Sequence, residues 1–197
     1  MPALAARAPG ARFLKHPWPE RDQQVPVTWA PLADGDVVET AEGPLTVVHT
    51  PGRSPDHPGI PARPRARWYY PGDLLVLGSS TVIPGSGGGS LSAYLASLAR
   101  IADLAPRCAS LPAHGPAIDD PLALVAQYIA HRQARETQVL EALVGGATTP
   151  AGIAARIYER LDPALVTMAH QSVLAHLVKL QDEGRAAHDG NAWRAVR

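Results

Sequence analysis

VVHTPGRSPDH, residues 47–57, is the stretch whose reading decides the fold. Leu45, Val47 and Val48 run apolar into Pro51-Gly52, the pattern of a strand that ends in a turn. A turn after a strand is where a rigid sheet presents side chains for chemistry. Two later stretches answer it: YPGD at residues 70–73, after the strand-like Trp68, Tyr69 and Tyr70, and LPAHGPAI at residues 111–118, after a short apolar run. Asp73 and His114 therefore both fall just past strand ends, where a carboxylate and an imidazole can converge on a metal ion. VLGSSTVIP, residues 76–84, is another apolar, β-branched run and reads as a further strand.

The chain around these turns has 197 residues, 46% of them hydrophobic and 18% charged, which suits one domain or one domain plus a small module. Lys plus Arg equals Asp plus Glu at 18 each, so overall charge points neither to nucleic acid nor to an acidic partner. Cys108 is the single cysteine, which excludes an internal disulfide framework and a CxxC metal site. No run of about 18 apolar residues is present, and residues 1–17 lack a signal-peptide core, so the expectation is a cytoplasmic protein with no membrane partner.

Upstream of the first turn, residues 2–12 are alanine-rich and helix-prone up to Pro9-Gly10. Residues 15–29 carry three prolines and two tryptophans and read as an extended loop, with Trp18 and Trp29 either packing or shaping a pocket. Residues 32–49 read as a hairpin turning at Glu42-Gly43-Pro44, in which Asp34 and Asp36 serve turn chemistry. Between the first two motifs, PGIPARPRAR (residues 58–67) stands where a strand is expected, since proline removes ladder donors. Its Arg63, Arg65 and Arg67 form either a phosphate contact or an exposed basic loop. PGSGGG, residues 84–89, has no following GK[ST] and so is no phosphate loop; it reads as a flexible linker.

Downstream, Leu91, Leu95, Leu98 and Ile101 keep helical spacing, with Ser90 as cap, and predict an amphipathic helix over residues 91–104. Cys108 reads as a buried small hydrophobe. A long helix over residues 122–144 points Leu124, Ile129, Val139, Leu140 and Leu143 at the core. It also carries His131, Arg132 and Arg135, which either form a solvated face or meet an anionic substrate; His131 and Arg132 are the substrate-binding candidates. Gly145-Gly146 breaks it. Thr149 and Pro150 then open a helix over residues 148–161, and a second, over residues 164–185, sets Val166, Val173, Leu174, Leu177 and Leu180 on one side and stops at Gly184. A hairpin around Asp189-Gly190 completes a winged-helix pattern. The would-be recognition helix offers His170, Gln171, His176 and Lys179 with few arginines, a weak base reader, so packing or dimerisation is its better role. His170, His176 and His188 read as surface or packing residues.

HTPGR, YPGD and PAHGP resemble the HTPGH, GD and PGHGP motifs of the metallo-β-lactamase superfamily. The resemblance is strongest to the beta-lactamase-like protein 2 subgroup, in which a winged-helix tail follows the catalytic fold; YIAHRQARETQVL is similar to that subgroup too. It implies an α/β protein: part of an αββα sandwich over residues 1–118, a connecting helix over 119–145 and a small winged-helix module over 146–197. It implies a zinc-dependent hydrolase of an ester, thioester or phosphodiester, and its subgroup tilts this toward an endoribonuclease on single-stranded RNA. Asp73 falls on the catalytic, metal-bridging carboxylate and His114 on a second metal ligand. Arg53 falls where the family has a ligand histidine, and a guanidinium has no lone pair to give. HxHxDH, the family's first metal motif, occurs nowhere in the 197 residues, and the opening MPALAARAPGARF looks like the helix that follows it. Relative to the family the chain is thus expected to be N-terminally truncated, or to start downstream of the true beginning.

These departures set up competing expectations. A catalytic zinc wants three protein ligands plus water, and the matched positions supply two. His57 is the candidate substitute ligand, with His49 and His16 behind it. Alternatively Arg53 stands in for the missing cation and pairs with Asp73, leaving a metal-free remnant of a hydrolase. The corresponding alternative function is non-catalytic binding or assembly. A sheet missing its neighbours exposes an apolar face, so a homo-oligomer or a covering partner is expected, or else a poorly stable monomer.

Overall fold

The computed structural model describes residues 2–41, 43–59, 68–78, 80–104 and 109–196. The expectations for Arg63, Arg65, Arg67 and Cys108 lie outside those residues. In chain order the elements are α1 (Pro2–Arg7), β1 (Phe13–Lys15), α2 (Pro19–Asp22), β2 (Trp29–Pro31), β3 (Val37–Val38), β4 (Leu45–Thr46), β5 (Val48–His49), β6 (Pro58–Gly59), β7 (Trp68–Gly72), α3 (Leu91–Leu104), β8 (Ala109–Pro112), α4 (Pro121–Val144), α5 (Pro150–Ile157), α6 (Val166–Asp182), β9 (Ala186–Asp189) and β10 (Ala192–Ala195). A single 3-10 turn, Pro163–Leu165, leads into α6.

Among the described residues the strands form two-stranded pairs. β7 lies parallel to β8, with Trp68 opposite Ala109 and Tyr69 opposite Ser110, and the register shifts before Gly72 meets Pro112. β3 and β4 form the expected hairpin, and β5 pairs antiparallel with β6. Against the first of these, α3 and the N-terminal half of α4 bury a core of Tyr69, Leu74, Leu75, Ile83, Tyr94 and Leu98, with Ile101, Ile118 and Tyr128. The leucine spacing of α3 puts Leu91, Leu98 and Ile101 on that face, and Ser90 Oγ caps the helix by accepting from Ala93 N at 3.2 Å.

A second core gathers Val139 and Leu143 of α4, Ile153 of α5, Val173, Leu177 and Leu180 of α6, and Trp193 of β10. Here the helix signals act as read: Thr149 caps α5 by accepting from Gly152 N, Pro150 takes its first position, and Gly184 stops α6 with a left-handed φ of 71°. Two clusters joined by the 24-residue α4 make the α/β fold with a small winged-helix module. No helix among the described residues is long and apolar enough to cross a membrane.

Several expectations need correction. Over the described part of residues 76–84 there is no strand, because no neighbour offers these residues a ladder; Thr81 and Ile83 are buried by α3 and α4 instead. Residues 15–29 are not only loop: α2 forms within them, and β1 pairs in parallel with β2. The helix opened by Thr149 ends at Ile157, not at residue 161. PGSGGG is docked, not a free linker: Gly85 N donates to Gln171 O (3.1 Å), Ser86 N donates to Gln171 Oε1 (2.9 Å), and a Cβ on Gly85 would sit 2.5 Å from Ala175 N. Only a bare backbone fits that close to α6. Val166, expected on the apolar side of α6, is exposed.

Candidate functional site

The ends of β5, β7 and β8 deliver Arg53, Asp73 and His114 to one place. β7 stops at Gly72, whose φ of 58° suits glycine, and a Cβ there would run into the His57 imidazole. Asp73 is held from all sides: its N–H donates to His57 Nε2 (3.0 Å), and its carbonyl accepts from Thr81 Oγ1 (2.9 Å). Ala113 N donates to Gly72 O at 2.9 Å, which extends the β7–β8 alignment into the two loops and sets His114 beside Asp73. His114 Nδ1–H donates to Asp73 Oδ1 at 2.6 Å, since a carboxylate only accepts. Asp73 Oδ2 faces Arg53 Nε at 3.2 Å.

The Arg53 loop is as firmly placed. Ser97 Oγ donates to Pro51 O (2.7 Å) and Ser90 N to Gly52 O (2.8 Å), so α3 grips the turn from below. A Cβ on Gly52, at φ 149°, would lie 2.5 Å from Tyr94 Cα, so the sequence needs glycine there for α3 to pack. On the other side Asp56 pairs with Lys15 (2.7 Å) and accepts from Ser54 Oγ (2.5 Å), while Lys15 also pairs with Asp22. A cavity of about 480 Å³ opens beside Arg53, bordered by Trp18, Arg21, Ser54, Asp56 and Met168. Trp18 thus shapes a pocket, with Arg21 stacked over its ring at 4.8 Å, whereas Trp29 packs edge-on to Phe13.

His57 is close to Asp73 but fully engaged. Its Nε2 lone pair takes the Asp73 N–H, which leaves Nδ1–H to donate to Thr50 Oγ1 at 3.2 Å. Burial pushes its pKa below the ordinary histidine value, against the opposing pull of Asp73. A ligand role would require breaking the bond that positions Asp73. His16 and His49 stack on each other at 3.8 Å, and each donates to a backbone carbonyl, of Leu32 and Pro55 respectively.

Among the described residues the donors fall short of the three protein ligands a catalytic zinc takes. Among the described residues no three His, Cys, Asp or Glu side chains come together as a metal site. Asp73 and His114 are two donors where three are needed, and the residue facing the second carboxylate oxygen is a cation.

His131, Arg132 and Arg135 lie elsewhere, along a pocket between α4 and α6 that also includes Ser80, Tyr158 and Ser172. Arg132 is 4% exposed, so it does not belong to a solvated face. Its spacing carried that signal, because residues 124, 128 and 132 share one face of α4. The sequence reading missed Thr81, which links Asp73 to Arg132, and the burial of His176, which the 173, 176, 180 spacing in α6 foreshadows.

The family model described as Beta-lactamase associated winged helix domain matches residues 149–193. The Beta-lactamase-like protein 2 homolog of Drosophila melanogaster is 30% identical over 79% of this chain and 51% of its own. Among solved structures, a beta-lactamase domain protein from Burkholderia ambifaria is 28% identical, with a TM-score of 0.78 over 87% of this chain and 54% of that one. A metallo-beta-lactamase family protein from Thermus thermophilus is 26% identical, with a TM-score of 0.75 over 91% of this chain and 60% of that one. The chain spans about half the length of the Drosophila relative. From the likeness of fold, the three motifs at three strand ends and the winged-helix match, it follows that this chain belongs to the metallo-β-lactamase superfamily, as a member with a C-terminal winged helix.

Proposed function

We propose that the residues of this chain form a hydrolase-type site whose metal chemistry has given way to a charge-balanced cluster, and that the chain acts in binding or assembly. The observation that carries this reading is the Arg53 guanidinium 3.2 Å from Asp73 Oδ2, at the position where the motif resemblance puts a ligand histidine. An arginine there neutralises the carboxylate as a metal would, but it can only hydrogen-bond a water molecule and cannot coordinate one as a Lewis acid to make hydroxide. The apolar ring faces of Trp68 and Tyr70, both exposed on β7, support an assembly surface.

The second reading is the family chemistry, zinc-dependent hydrolysis of single-stranded RNA or of an ester or thioester. It is favoured by the 2.6 Å contact that keeps His114 and Asp73 together. Elemental analysis for zinc, iron and manganese in the purified chain separates the two. The expected outcome is sub-stoichiometric metal in the wild type, a gain in Arg53→His, and loss of that gain when Asp73→Ala is added. Stoichiometric metal in the wild type that disappears in an Asp73→Ala, His114→Ala variant would overturn the first reading and direct assays to RNA and ester substrates.

A further inference from the structure

The pocket between α4 and α6 contains a charge imbalance that the Asp73 cluster does not explain. His131, Arg132 and Arg135 line it, Ser80, Ser172 and Tyr158 add hydroxyls, and no carboxylate among the described residues borders it. Arg132 is the informative group. It is nine-tenths buried; one of its terminal nitrogens donates to Ser80 Oγ (3.0 Å) and to Thr81 O, and its Nε–H has no acceptor. Among the described residues neither Arg132 nor Arg135 has a carboxylate within ion-pair distance. The acid nearest in sequence, Glu136, is tied up by Lys179 and Arg185 at 2.6 Å each. Arg132 and Arg135 lie instead over the Tyr94 and Tyr158 rings, at 5.5 and 4.4 Å, which carry no full negative charge. A buried guanidinium without a counter-charge is costly, so its natural complement is an anion entering from the pocket.

The neighbourhood adds to this. His176 is buried on α6 with both ring nitrogens unpartnered among the described residues, and burial together with Arg132, Arg135, Lys179 and His131 lowers its pKa to about 3, so it adds no proton to the cluster and no negative charge to balance it. The pocket has a volume of about 220 Å³ and is apolar at its rim, where Leu165 and Met168 are exposed. It adjoins a recess of about 440 Å³ that shares Ser80 and His131 with it and is walled by Leu77, Leu124 and Tyr128. Cationic head pocket and apolar recess together define an amphipathic ligand.

We propose that this pocket binds a small organic oxyanion, a phosphate or carboxylate held by His131, Arg132 and Arg135, with its apolar body in the recess walled by Leu77, Leu124 and Tyr128. Bidentate guanidinium contacts suit either head group. None of His131, Arg132 and Arg135 belongs to the Arg53–Asp73–His114 cluster, although Thr81 bridges Arg132 to the Asp73 carbonyl.

The test is calorimetric titration of the intact chain, at constant ionic strength, with phenyl phosphate, benzoate and inorganic phosphate. Saturable binding of phenyl phosphate or benzoate is expected, and the one that binds identifies the head group. Inorganic phosphate, which leaves the recess empty, is expected to bind more weakly. An Arg135→Gln, His131→Gln variant, both at solvent-accessible positions, is expected to lose about tenfold or more in affinity while its thermal midpoint without ligand stays put. Leu77→Ser is expected to weaken phenyl phosphate and leave inorganic phosphate unchanged. No saturable binding of either aromatic anion, or binding indifferent to the Arg135 and His131 changes, overturns the proposal. So does binding of a short single-stranded oligonucleotide through the same residues with none of the small anions, which would make the pocket a backbone-phosphate contact.

Discussion

His176 shows how much one side chain can reveal. Its ring is 1% exposed and neither nitrogen has a partner among the described groups, a placement that costs about 1–3 kcal/mol for an unsatisfied polar group. Because burial and nearby cations lower its folded pKa to about 3 from 6.5, the unfolded chain binds a proton that the folded chain refuses. Its share of stability is therefore whole above pH 6.5 and is lost as pH falls from there toward 3, by up to about 1.4 kcal/mol per pH unit. His57, also lowered by burial, acts in the same direction. In urea unfolding, His176→Leu is expected to be more stable than wild type near neutrality. Between about pH 7.5 and 5.5 it should lose about 1.4 kcal/mol less. Equal losses in both proteins would show that His176 is protonated in the fold. From the sequence His176 reads only as a surface or packing residue; packing is what brings the cations Arg132, Arg135 and Lys179 near it.

At the scale of elements, local signals and tertiary ones separate cleanly. α3, α4, α5 and the β9–β10 hairpin were legible because their caps, glycines and apolar spacing act within a few residues. Thr149 is the best case. Its hydroxyl accepts from Gly152 N at 3.1 Å, while the neighbouring Thr148 carbonyl accepts from Trp193 N at 2.7 Å, so one turn starts α5 and anchors the hairpin. Thr149→Ala is expected to cost about 1 kcal/mol in chemical denaturation, with Thr149→Ser restoring most of it. No difference between the two variants would mean that the cap is taken over by solvent. Residues 76–84 show the opposite case. Their composition favours a strand, but a strand exists only with a ladder partner; Thr81 instead bonds the Asp73 carbonyl and Arg132 of α4, and Ile83 joins the first core. The docking of Gly85 and Ser86 onto α6 was likewise invisible, because the fit depends on a segment some 85 residues away.

For the whole molecule the open question is what the outer face of β7 meets. Tyr69 and Pro71 point into the core while Trp68 and Tyr70, alternating with them, remain exposed. If that row serves assembly, light scattering over a dilution series is expected to show a mass above the monomer that declines on dilution, and a Trp68→Ser, Tyr70→Ser variant is expected to stay monomeric. A wild type that is monomeric throughout would remove the assembly role. By itself the sequence carried the resemblance to the superfamily, in three motifs that match residue by residue, and most of the helices, through periodicity and caps. It also determined that Arg53 cannot ligate metal, because that follows from residue type alone. Only the tertiary structure decided that Arg53, Asp73 and His114 face one another, that His57 uses its lone pair on the Asp73 backbone, and that Arg132 is buried with no carboxylate partner among the described residues. Those facts depend on strand ends and helix faces far apart in the chain, whose convergence is set by which apolar surfaces bury each other.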